Sequence, residues 1–533
     1  MGDSWAAFCW QYDVHNINFD KYGFSDKKAY STGAAISPTG GTPDLSQSGS
    51  EARNYLTTLK KSVILSTFAN NPDIDIVHLS LGGNDFLGDW DTTWTPSQIN
   101  TLSIEVLDSI TSIINFLRQQ KPSVKILLST YDYPNFEEAI NGSTSHPFYN
   151  RWAAMLKPRF SQINNVLASV NTAIKNYALV GTNLHFVDNL GLMQYTYGQP
   201  APLLFPPGGT YAPQSVPFPG GNSNYPSPLV AMNTYFGIKD AFHLSSAGFT
   251  VFVDNQMKEF YFNALRNYDA TILNESLKSG YVNASSAFSD TSIVVGNISA
   301  IQHLGLLSFQ MPVLDPTKSV GNVSVFMKRK GSIGVNPINT YSLSVDMKTG
   351  SLGSSALPDN TDFSAVSDVT ATVCHFGSVS ANNYWLRIDL PVSMVQQLVS
   401  NQTYQFRVGF VGNGTTNQAL EFYSDANSVN APFLDLQYAI PLSINLLDKH
   451  ESKQMSVYPN PVEHNICTVQ FSNTFSGSIE LMDLLGNKVY ATTITDGVKA
   501  ELKFPDLNNG MYILIANDHK TQKVFNEKMI IKK

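Results

Sequence analysis

The chain has 533 residues, enough for three or four domains that each bury a hydrophobic core. Charged residues make up 14% of it, against about 25% in an average protein, and the formal net charge of -8 is not concentrated in an acidic run. No cluster of Lys and Arg alternates with aromatic residues, so nucleic acid is not expected as a partner. No apolar stretch approaches the ~20 residues of a membrane-spanning helix, so no membrane span is expected. The uncharged polar composition favours a secreted protein.

The first 270 residues alternate β-rich runs with longer helical patterns. Apolar residues repeat at helical spacing in 106–117 and 160–174, and a last helix is predicted after Ser246. Three short runs rich in β-branched residues predict strands: 74–81, 123–130 and 183–188. The first two strands are nearly apolar enough to be buried on both faces, which is typical of a parallel sheet. The region 1–270 is therefore predicted to be a doubly wound α/β domain, in which ligands bind beyond the carboxyl ends of the strands.

The pattern changes in residues 275–446 to short alternating runs separated by Gly, Asn, Ser and Pro. This pattern predicts an all-β sandwich or jelly roll. The region resembles the β-sandwich modules that are fused to secreted carbohydrate-active enzymes, which implies a carbohydrate-binding role; a purely structural spacer is the alternative. Tyr384, Trp385 and Tyr423 are candidates for stacking on sugar rings, or else core residues.

Four short stretches of the first domain carry candidate catalytic residues. The first is Gly2-Asp3-Ser4, which offers a hydroxyl nucleophile. In the second, Ser48 and Glu51 have the spacing of a capping box that opens a helix, and the backbone N–H of Gly49 in its first turn would be free to meet an oxyanion.

The other two stretches follow predicted strand regions. Gly82 to Asp85 come directly after the first buried strand, and the amide of Asn84 on this turn could donate to a developing negative charge. Asp240 and His243 stand three residues apart before the last helix, a spacing that lets the carboxylate reach Nδ1 of the imidazole. Nε2 would then be left to take a proton from a hydroxyl.

The four stretches in this order resemble the SGNH, or GDSL-like, hydrolase family, over residues 1–267. The resemblance implies a flavodoxin-like three-layer fold with a parallel sheet. It also implies Ser4 as nucleophile, His243 as base and Asp240 as its orienting partner, with Gly49 and Asn84 joining the Ser4 backbone N–H as oxyanion donors. Trp5 stands where the family commonly has leucine, a change that bears on substrate fit rather than on chemistry.

The resemblance implies two-step acyl transfer by a serine carboxylic ester hydrolase, with an acylated polysaccharide as the favoured substrate and acetyl as the favoured acyl group. Such a reaction needs no metal or other cofactor, and the remaining histidines lack metal-ligand spacing, so none is expected. Two alternatives stay open: a lipase or aryl esterase of the same fold, and a catalytically inactive glycan-binding surface protein.

Two further features of the first domain raise expectations about the site. Residues 190–235 form a long insertion rich in Pro, Gly and aromatic residues, which would either overhang the site and shape the substrate pocket or form a rigid surface loop. Ser4 stands at the start of the chain, whereas a nucleophile on such a sheet follows a buried strand. We therefore expect the start to be truncated or misassigned, with a strand and a signal peptide upstream.

The last segment, 455–533, is strand-rich and follows a polar stretch at 448–454. Four of its sequences, "VYPNPV", "ELMDLLGNKVY", "LNNGMYILI" and "EKMIIKK", resemble the sorting domain of type IX secretion. The resemblance implies a small β-sandwich, export by the type IX machinery, and a protein that is secreted or attached to the bacterial cell surface.

Overall fold

The computed structural model describes residues 1–33, 44–289, 291–412, 414, 416–424, 429–439, 455–483, 488–520 and 524–532. The chain separates into two compact units, Met1–Ala439 and Ile440–Lys533. The first unit contains a mixed α/β region followed by large antiparallel sheets, and the second contains one antiparallel sheet.

The helices are numbered in chain order. They are α1 (Ser4–Gln11), α2 (Val14–Lys21), α3 (Thr58–Asn70), α4 (Gly83–Asp89), α5 (Pro96–Gln120), α6 (Phe136–Ile140), α7 (Tyr149–Ala154), α8 (Phe160–Leu179), α9 (Leu192–Tyr197), α10 (Ser246–Gln256), α11 (Phe262–Arg266) and α12 (Val392–Val395). Short 3-10 turns lie at Ala52–Leu56, Ser276–Lys278 and Asn360–Phe363, and a π-helical turn at Met257–Tyr261.

The strands of the first unit are β1 (Ile76–Ser80), β2 (Lys125–Ser129), β3 (Leu184–Val187), β4 (Met232–Tyr235), β5 (Ile238–Leu244), β6 (Ala270–Leu273), β7 (Gly280–Val282), β8 (Ala287–Phe288), β9 (Ser292–Ile298), β10 (Ile301–Gln310), β11 (Val320–Gly334), β12 (Ser342–Thr349), β13 (Val369–Thr372), β14 (Cys374–Phe376), β15 (Trp385–Asp389), β16 (Thr403–Val411), β17 (Gln418–Tyr423) and β18 (Phe433–Tyr438). Those of the second unit are β19 (Met455–Tyr458), β20 (Ile466–Met482), β21 (Lys488–Lys503), β22 (Gly510–Asp518) and β23 (Val524–Ile531).

The α/β region is organised around a parallel sheet in the order β1-β2-β3, with Val77 opposite Ile126 and Ile126 opposite Leu184. These are the three strands predicted from the sequence, and α5 and α8 are the two long helices predicted between them. Their apolar faces are buried in the core of the sheet. The parallel sheet is therefore confirmed, while a flavodoxin-like three-layer arrangement stays a prediction.

Residues Met1 to Asp3 lie between two neighbouring backbone segments in this region. On one side, Ser80 N–H donates to Met1 O at 3.1 Å and Asp3 N–H donates to Ser80 O at 3.3 Å. On the other side, Gly2 N–H donates to Leu45 O at 3.0 Å and Gln47 N–H donates to Gly2 O at 2.9 Å. These bonds hold the backbone in parallel bridges directly before α1, so Ser4 begins its helix at the carboxyl end of β1.

The antiparallel part of the first unit is a connected set of thirteen strands, with the path β13-β12-β16-β10-β9-β17-β11-β15-β14 and β6, β7, β8 and β18 attached to it. A large apolar core lies within it, contributed by alternate residues of the long strands such as Val323, Val325 and Met327 on β11. The all-β structure expected from the alternating pattern is confirmed, while a sandwich or jelly-roll arrangement stays a prediction.

The α/β region and the antiparallel sheets share an aromatic cluster. Phe262 of α11 packs against Trp385 and Phe433, with ring centroids 5.5 and 6.2 Å apart, and Phe326 stacks on Phe433 at 4.8 Å. Trp385 is 4% exposed within this cluster, so it is a core residue, and its candidacy for stacking on sugars is wrong. Both regions lie in one compact unit, and their division into two domains near residue 270 stays a prediction.

The second unit is a five-stranded antiparallel sheet in the order β19-β20-β22-β23, with β21 paired to β20. Its core is formed by alternate residues such as Ile479, Leu481 and Leu514. The strand-rich structure predicted for the last 80 or so residues is thus present.

Candidate active site

Ser4 is the first residue of α1 and is 2% exposed. Asp3 is the residue that caps this helix: its Oδ1 accepts the backbone N–H of Trp5 at 2.9 Å. Asp is one of the favoured N-cap residues because its side-chain oxygen satisfies a backbone N–H that the helix leaves free. The motif Gly2-Asp3-Ser4 therefore forms a strand-to-helix turn with the Ser4 side chain at its start.

Gly2 is required in this turn by its surroundings. Its φ is +153°, and a Cβ at this position would overlap the carbonyl oxygen of Ser80. Only glycine allows the backbone to approach β1 this closely.

Asp240 and His243 lie on β5, the second strand of a β4–β5 hairpin, and not in a loop before the last helix as the sequence suggested. The pairing of β4 with β5 is irregular between Met232 and Thr234, which marks a bulge. Asp240 Oδ1 accepts the backbone N–H groups of Phe242 at 2.7 Å and His243 at 2.9 Å. This local turn brings the Asp240 carboxylate back toward the imidazole of His243.

The structure brings Ser4, His243 and Asp240 into one hydrogen-bonded chain. Nδ1 of His243 lies 2.9 Å from Asp240 Oδ2, and Nε2 lies 2.8 Å from Ser4 Oγ. Asp240 is 2% exposed and His243 is 8% exposed, so the chain is largely shielded from solvent. A carboxylate facing Nδ1 favours the tautomer with the proton on Nδ1, which leaves Nε2 to accept the Ser4 proton.

Aromatic rings surround the imidazole. The ring centroids of Phe8, Phe242 and Phe148 lie 4.9, 5.3 and 5.8 Å from that of His243. They restrict the rotation of the imidazole and lower the local dielectric constant, which strengthens its bond to Asp240.

Trp5, the residue after Ser4, is 1% exposed and points into the core. Its indole packs edge-on against Tyr131, Phe249 and Phe252, with centroids 5.2 Å apart in each pair. Its side chain lies between α1 and α10, and an influence of Trp5 on substrate fit stays a prediction.

Asn84 lies in the first turn of α4, which follows β1 directly. Its Nδ2 donates to Asp3 Oδ2 at 2.9 Å and to the backbone carbonyl of Ser50 at 3.2 Å. The structure thus joins Asn84 to the residue next to Ser4. Both hydrogens of its amide have acceptors, and the longer bond is the one to Ser50.

The two glycines before Asn84 have separate structural reasons. Gly82 caps α4 with φ of +110°, in the left-handed region that glycine favours. Gly83 lies against the ring of Tyr131, so closely that a Cβ would overlap three of its carbon atoms.

Gly49 lies in a turn before the 3-10 helix, with φ of +74° and open space where a Cβ would stand. The predicted capping box between Ser48 and Glu51 is wrong, because the box forms one turn later, between Glu51 and Asn54. Among the described residues, neither the N–H of Ser4 nor that of Gly49 has a hydrogen-bond acceptor.

Asp85 ties the segment that carries Gly49 to α4. Its two carboxyl oxygens accept the backbone N–H of Ala52 at 3.2 and 3.0 Å, and burial raises its pKa to about 6. The loop of Gly49 and the helix of Asn84 are therefore held together by a buried carboxyl group.

Two residues near the site were missed by sequence reasoning. Asp3 is fully buried and burial raises its pKa to about 7, against the opposing effect of the hydrogen bonds that it accepts. Tyr131 donates a short hydrogen bond from its hydroxyl to Asp3 Oδ2. Asp3 carried a signal as an N-cap residue, whereas Tyr131 follows β2 and reaches Asp3 only through the pairing of β2 with β1.

The insertion 190–235 forms α9 and a compact loop held by buried polar side chains. Asp132 accepts the backbone N–H groups of Gly191 and Met193 at 2.7 and 2.6 Å, and Gln194 donates to Tyr225 O at 2.6 Å. Tyr211 packs edge-on against Tyr225 at 5.0 Å. These contacts make the segment an ordered loop with its own small core, and a substrate-shaping role stays a prediction.

A cavity of about 430 Å³ lies apart from the Ser4–His243 pair. It is lined by Ala6 and Cys9 of α1, His78 of β1 and Tyr261, among others. In the described part of the chain, no group of three or more His, Cys, Asp and Glu side chains could hold a metal ion. None of the described helices is long and apolar enough to cross a membrane.

Comparison with solved structures finds matches that cover about half of the chain. A carbohydrate esterase family 3 protein from Talaromyces cellulolyticus is 15% identical, with 50% of this chain and 96% of that chain covered and a TM-score of 0.26. An acetyl esterase mutant with acetate ion is 14% identical, covering 50% and 97%, with a TM-score of 0.27. A β-glucuronidase from Ruminococcus gnavus is 12% identical, covering 43% and 37%, with a TM-score of 0.13. At these scores the likeness assigns no activity to this chain.

A comparison with curated proteins finds no match. Residues 456–532 match the model of the secretion system C-terminal sorting domain. These residues span the five-stranded sheet of the second unit, from β19 to β23. The chain therefore ends in a sorting domain of the type IX secretion system, and the protein is secreted or displayed on the cell surface.

Proposed function

We propose that the α/β region is a serine ester hydrolase in which Ser4 is the nucleophile, His243 the general base and Asp240 its orienting partner. The observation that carries the proposal is the continuous hydrogen-bonded chain from Ser4 Oγ through both nitrogens of His243 to Asp240 Oδ2. Nucleophile, base and orienting carboxylate in this geometry are the arrangement that activates a hydroxyl in acyl transfer.

The reaction would proceed in two steps. His243 Nε2 takes the proton of Ser4 Oγ as that oxygen attacks the ester carbonyl, and the imidazolium is stabilised by Asp240. The imidazolium then protonates the leaving alcohol, and an acyl-serine remains. Water, deprotonated by the same nitrogen, attacks the acyl group and releases the acid and Ser4.

The negative charge on the tetrahedral intermediate needs hydrogen-bond donors. The free backbone N–H groups of Ser4 and Gly49 and the amide of Asn84 are the candidates, within one connected set of segments. Asn84 would supply its oxyanion bond by giving up the longer bond to Ser50 O, while its bond to Asp3 is kept. The removal of one such donor typically costs about 2.7–4 kcal/mol in the barrier.

The favoured substrate is a short acyl ester, such as an acetyl group on an extracellular polysaccharide. Ser4 and His243 are 2% and 8% exposed, so only a small part of the reacting pair is open to solvent. The sorting domain sends the protein outside the cell, where polymeric substrates are met. A lipase would instead need space for a long acyl chain next to Ser4.

The proposal is tested with the full chain on p-nitrophenyl esters of increasing acyl length. We expect hydrolysis of the acetate, much slower hydrolysis of the palmitate, and no turnover by Ser4→Ala. A fluorophosphonate probe should label Ser4, as read by mass spectrometry of the peptide that contains it. If the chain binds glycans in a pull-down but hydrolyses none of the esters and is not labelled by the probe, it is a binding protein and the proposal is wrong.

The alcohol part of the ester substrate is tested separately, by the release of acetate from an acetylated polysaccharide. Faster release from the polymer than from p-nitrophenyl acetate at equal ester concentration supports a carbohydrate esterase. Turnover of aryl esters alone would place the enzyme among aryl esterases of the same chemistry.

A further inference from the structure

We infer that Asp3 is a positioning residue that couples the nucleophile to the oxyanion donor: one carboxyl oxygen caps the helix of Ser4 and the other holds the amide of Asn84. The inference rests on the proposed function, because it assigns Asn84 a role in the same reaction. It concerns a side chain that touches neither substrate nor Ser4 Oγ, and it explains why an aspartate is placed directly before the nucleophile.

The two oxygens of Asp3 have different partners. Oδ1 accepts the Trp5 backbone N–H at 2.9 Å, and Oδ2 accepts Asn84 Nδ2 at 2.9 Å together with the hydroxyl of Tyr131. All three partners can donate, so in this arrangement the two carboxyl oxygens serve as acceptors. An acceptor at this place fixes the orientation of the Asn84 amide, with its NH2 group toward Asp3.

This fixed orientation has a consequence for the second hydrogen of the Asn84 amide. With one hydrogen on Asp3, the planar amide directs the other about 120° away, where it now meets Ser50 O at 3.2 Å. Donors that act on a developing charge must be oriented beforehand, since reorientation during the reaction raises the barrier. Asp3 therefore sets the orientation of the Asn84 amide. Ser50 O accepts the second hydrogen until the oxyanion, a stronger acceptor, forms.

Tyr131 and Gly83 also help to hold Asp3 and Asn84 in place. The Tyr131 ring lies flush against Gly83, the residue before Asn84, and its hydroxyl reaches the same oxygen of Asp3. Tyr131 is 3% exposed and Asp3 is fully buried, so this oxygen is shielded from bulk solvent. The pair of donors, from Asn84 and Tyr131, is held on Asp3 Oδ2 by packing on both sides.

The test uses Asp3→Asn, which keeps the helix cap because asparagine is an equally good N-cap residue. The new NH2 group would face the NH2 of Asn84 and the hydroxyl of Tyr131, so the Asn84 amide is driven out of position. We expect kcat for p-nitrophenyl acetate to fall by about 10²-fold, as it does on loss of an oxyanion donor. KM should stay within about threefold, because the interaction acts in the transition state.

The double variant Asp3→Asn/Asn84→Ala separates positioning from a general structural defect. If Asp3 acts through Asn84, the double variant is no slower than Asn84→Ala alone to within about threefold, whereas independent effects would multiply. Tyr131→Phe should lower kcat in the same direction but by less, since Asn84 keeps its acceptor. Multiplicative effects in the double variant would overturn the inference.

Asp13→Asn is the matched control. Asp13 also precedes a helix but is exposed, and the substitution changes the charge in the same way as Asp3→Asn. It should leave kcat and the melting temperature unchanged. An active parent chain with an unaffected Asp3→Asn variant would overturn the inference and leave the esterase proposal standing. A parent chain that hydrolyses no ester and resists the fluorophosphonate probe would instead overturn the proposed function.

Discussion

Asp240 binds His243 twice: its Oδ1 accepts the backbone N–H of His243 at 2.9 Å and its Oδ2 lies 2.9 Å from the imidazole Nδ1. The carboxylate thus fixes both the main chain and the ring of the same residue. The imidazole therefore cannot rotate its Nε2 away from Ser4 without breaking a buried hydrogen bond.

Replacing this carboxylate should remove activity while the fold is kept. In Asp240→Asn an NH2 group can face Nδ1, which favours the tautomer with the proton on Nε2, and that nitrogen can no longer accept from Ser4. We expect kcat for p-nitrophenyl acetate to fall by about 10³- to 10⁴-fold. Asp254→Asn, a change of the same charge in the neighbouring α10, serves as the control for activity. Retention of more than a tenth of the parent kcat would contradict a role of Asp240 in orienting His243.

Gly83 is expected to be intolerant of any side chain. In Gly83→Ala the new Cβ would overlap the Tyr131 ring, which must move and release Asp3. We predict a lower melting temperature and a lower kcat together. Gly88→Ala is the matched control, since Gly88 lies in the same helix and its Cβ would meet the ends of two flexible side chains, Glu51 at 3.2 Å and Arg151 at 3.8 Å. There alanine should be neutral or stabilise by up to about 1 kcal/mol.

A buried ion pair joins α11 to β18, with Arg266 Nε and Nη2 each 2.6 Å from an oxygen of Asp435. Their side chains are 9% and 5% exposed. Asp435→Ala would leave the guanidinium buried without its partner, and we expect a loss of ~3–5 kcal/mol in the free energy of unfolding. Urea denaturation of the full chain measures it.

The control for this loss is Asp89→Ala, which breaks the exposed pair of Arg53 and Asp89 at 3.3 Å. Its cost should stay below about 1 kcal/mol, because solvent screens exposed charges. Equal costs for the two variants would mean that the contact between Arg266 and Asp435 contributes no more than a surface pair.

His15 is expected to make the first unit sensitive to acid. Burial lowers its pKa to about 4, and burial followed by the proximity of His15 lowers that of His78 well below its ordinary value. Both rings are therefore neutral in the native state, while in the unfolded chain they take up protons near pH 6.5. The unfolded state then binds more protons, so stability falls as the pH drops from about 6.5 toward 4.

The variant His15→Phe keeps the ring contacts with Phe19 and Tyr261 but cannot take up a proton. We predict that its melting temperature falls less than that of the parent chain between pH 7 and pH 5, as measured by calorimetry. His464→Phe, at an exposed histidine of the second unit, should leave the pH dependence of the first unit unchanged. Parallel pH profiles for parent and His15→Phe would show that this ring does not titrate on unfolding.

The sequence predicted the parallel strands and the long helices because both carry a period that burial imposes. Val106, Ile110 and Leu117 repeat with the turn of α5, and all three are in the core. The hairpin that carries Asp240 and His243 was not predicted, because its pairing is short and irregular. The role of the pair was expected from the order of four motifs, which is information that no local pattern contains.

Contacts between distant segments were beyond sequence reasoning. For Trp385 the sequence left both a stacking role and a core position open, and the residue packs against α11, more than a hundred residues earlier. Tyr131 had no sign of its bond to Asp3, since that bond depends on the register of β1 against β2. Side chains that act across elements carry no periodic signature of their own.

The aromatic cluster of Phe262, Phe326, Trp385 and Phe433 determines where the chain can be shortened without loss of its fold. A truncation after residue 270 would remove Phe326, Trp385 and Phe433 and leave Phe262 without these contacts. It would also remove Asp435, the partner of Arg266. The shortened protein would expose an apolar patch next to an unpaired arginine, which favours aggregation. Insolubility of such a protein would therefore say nothing about catalysis. Removal of the sorting domain, which lies in the other compact unit, is the safer cut for producing material.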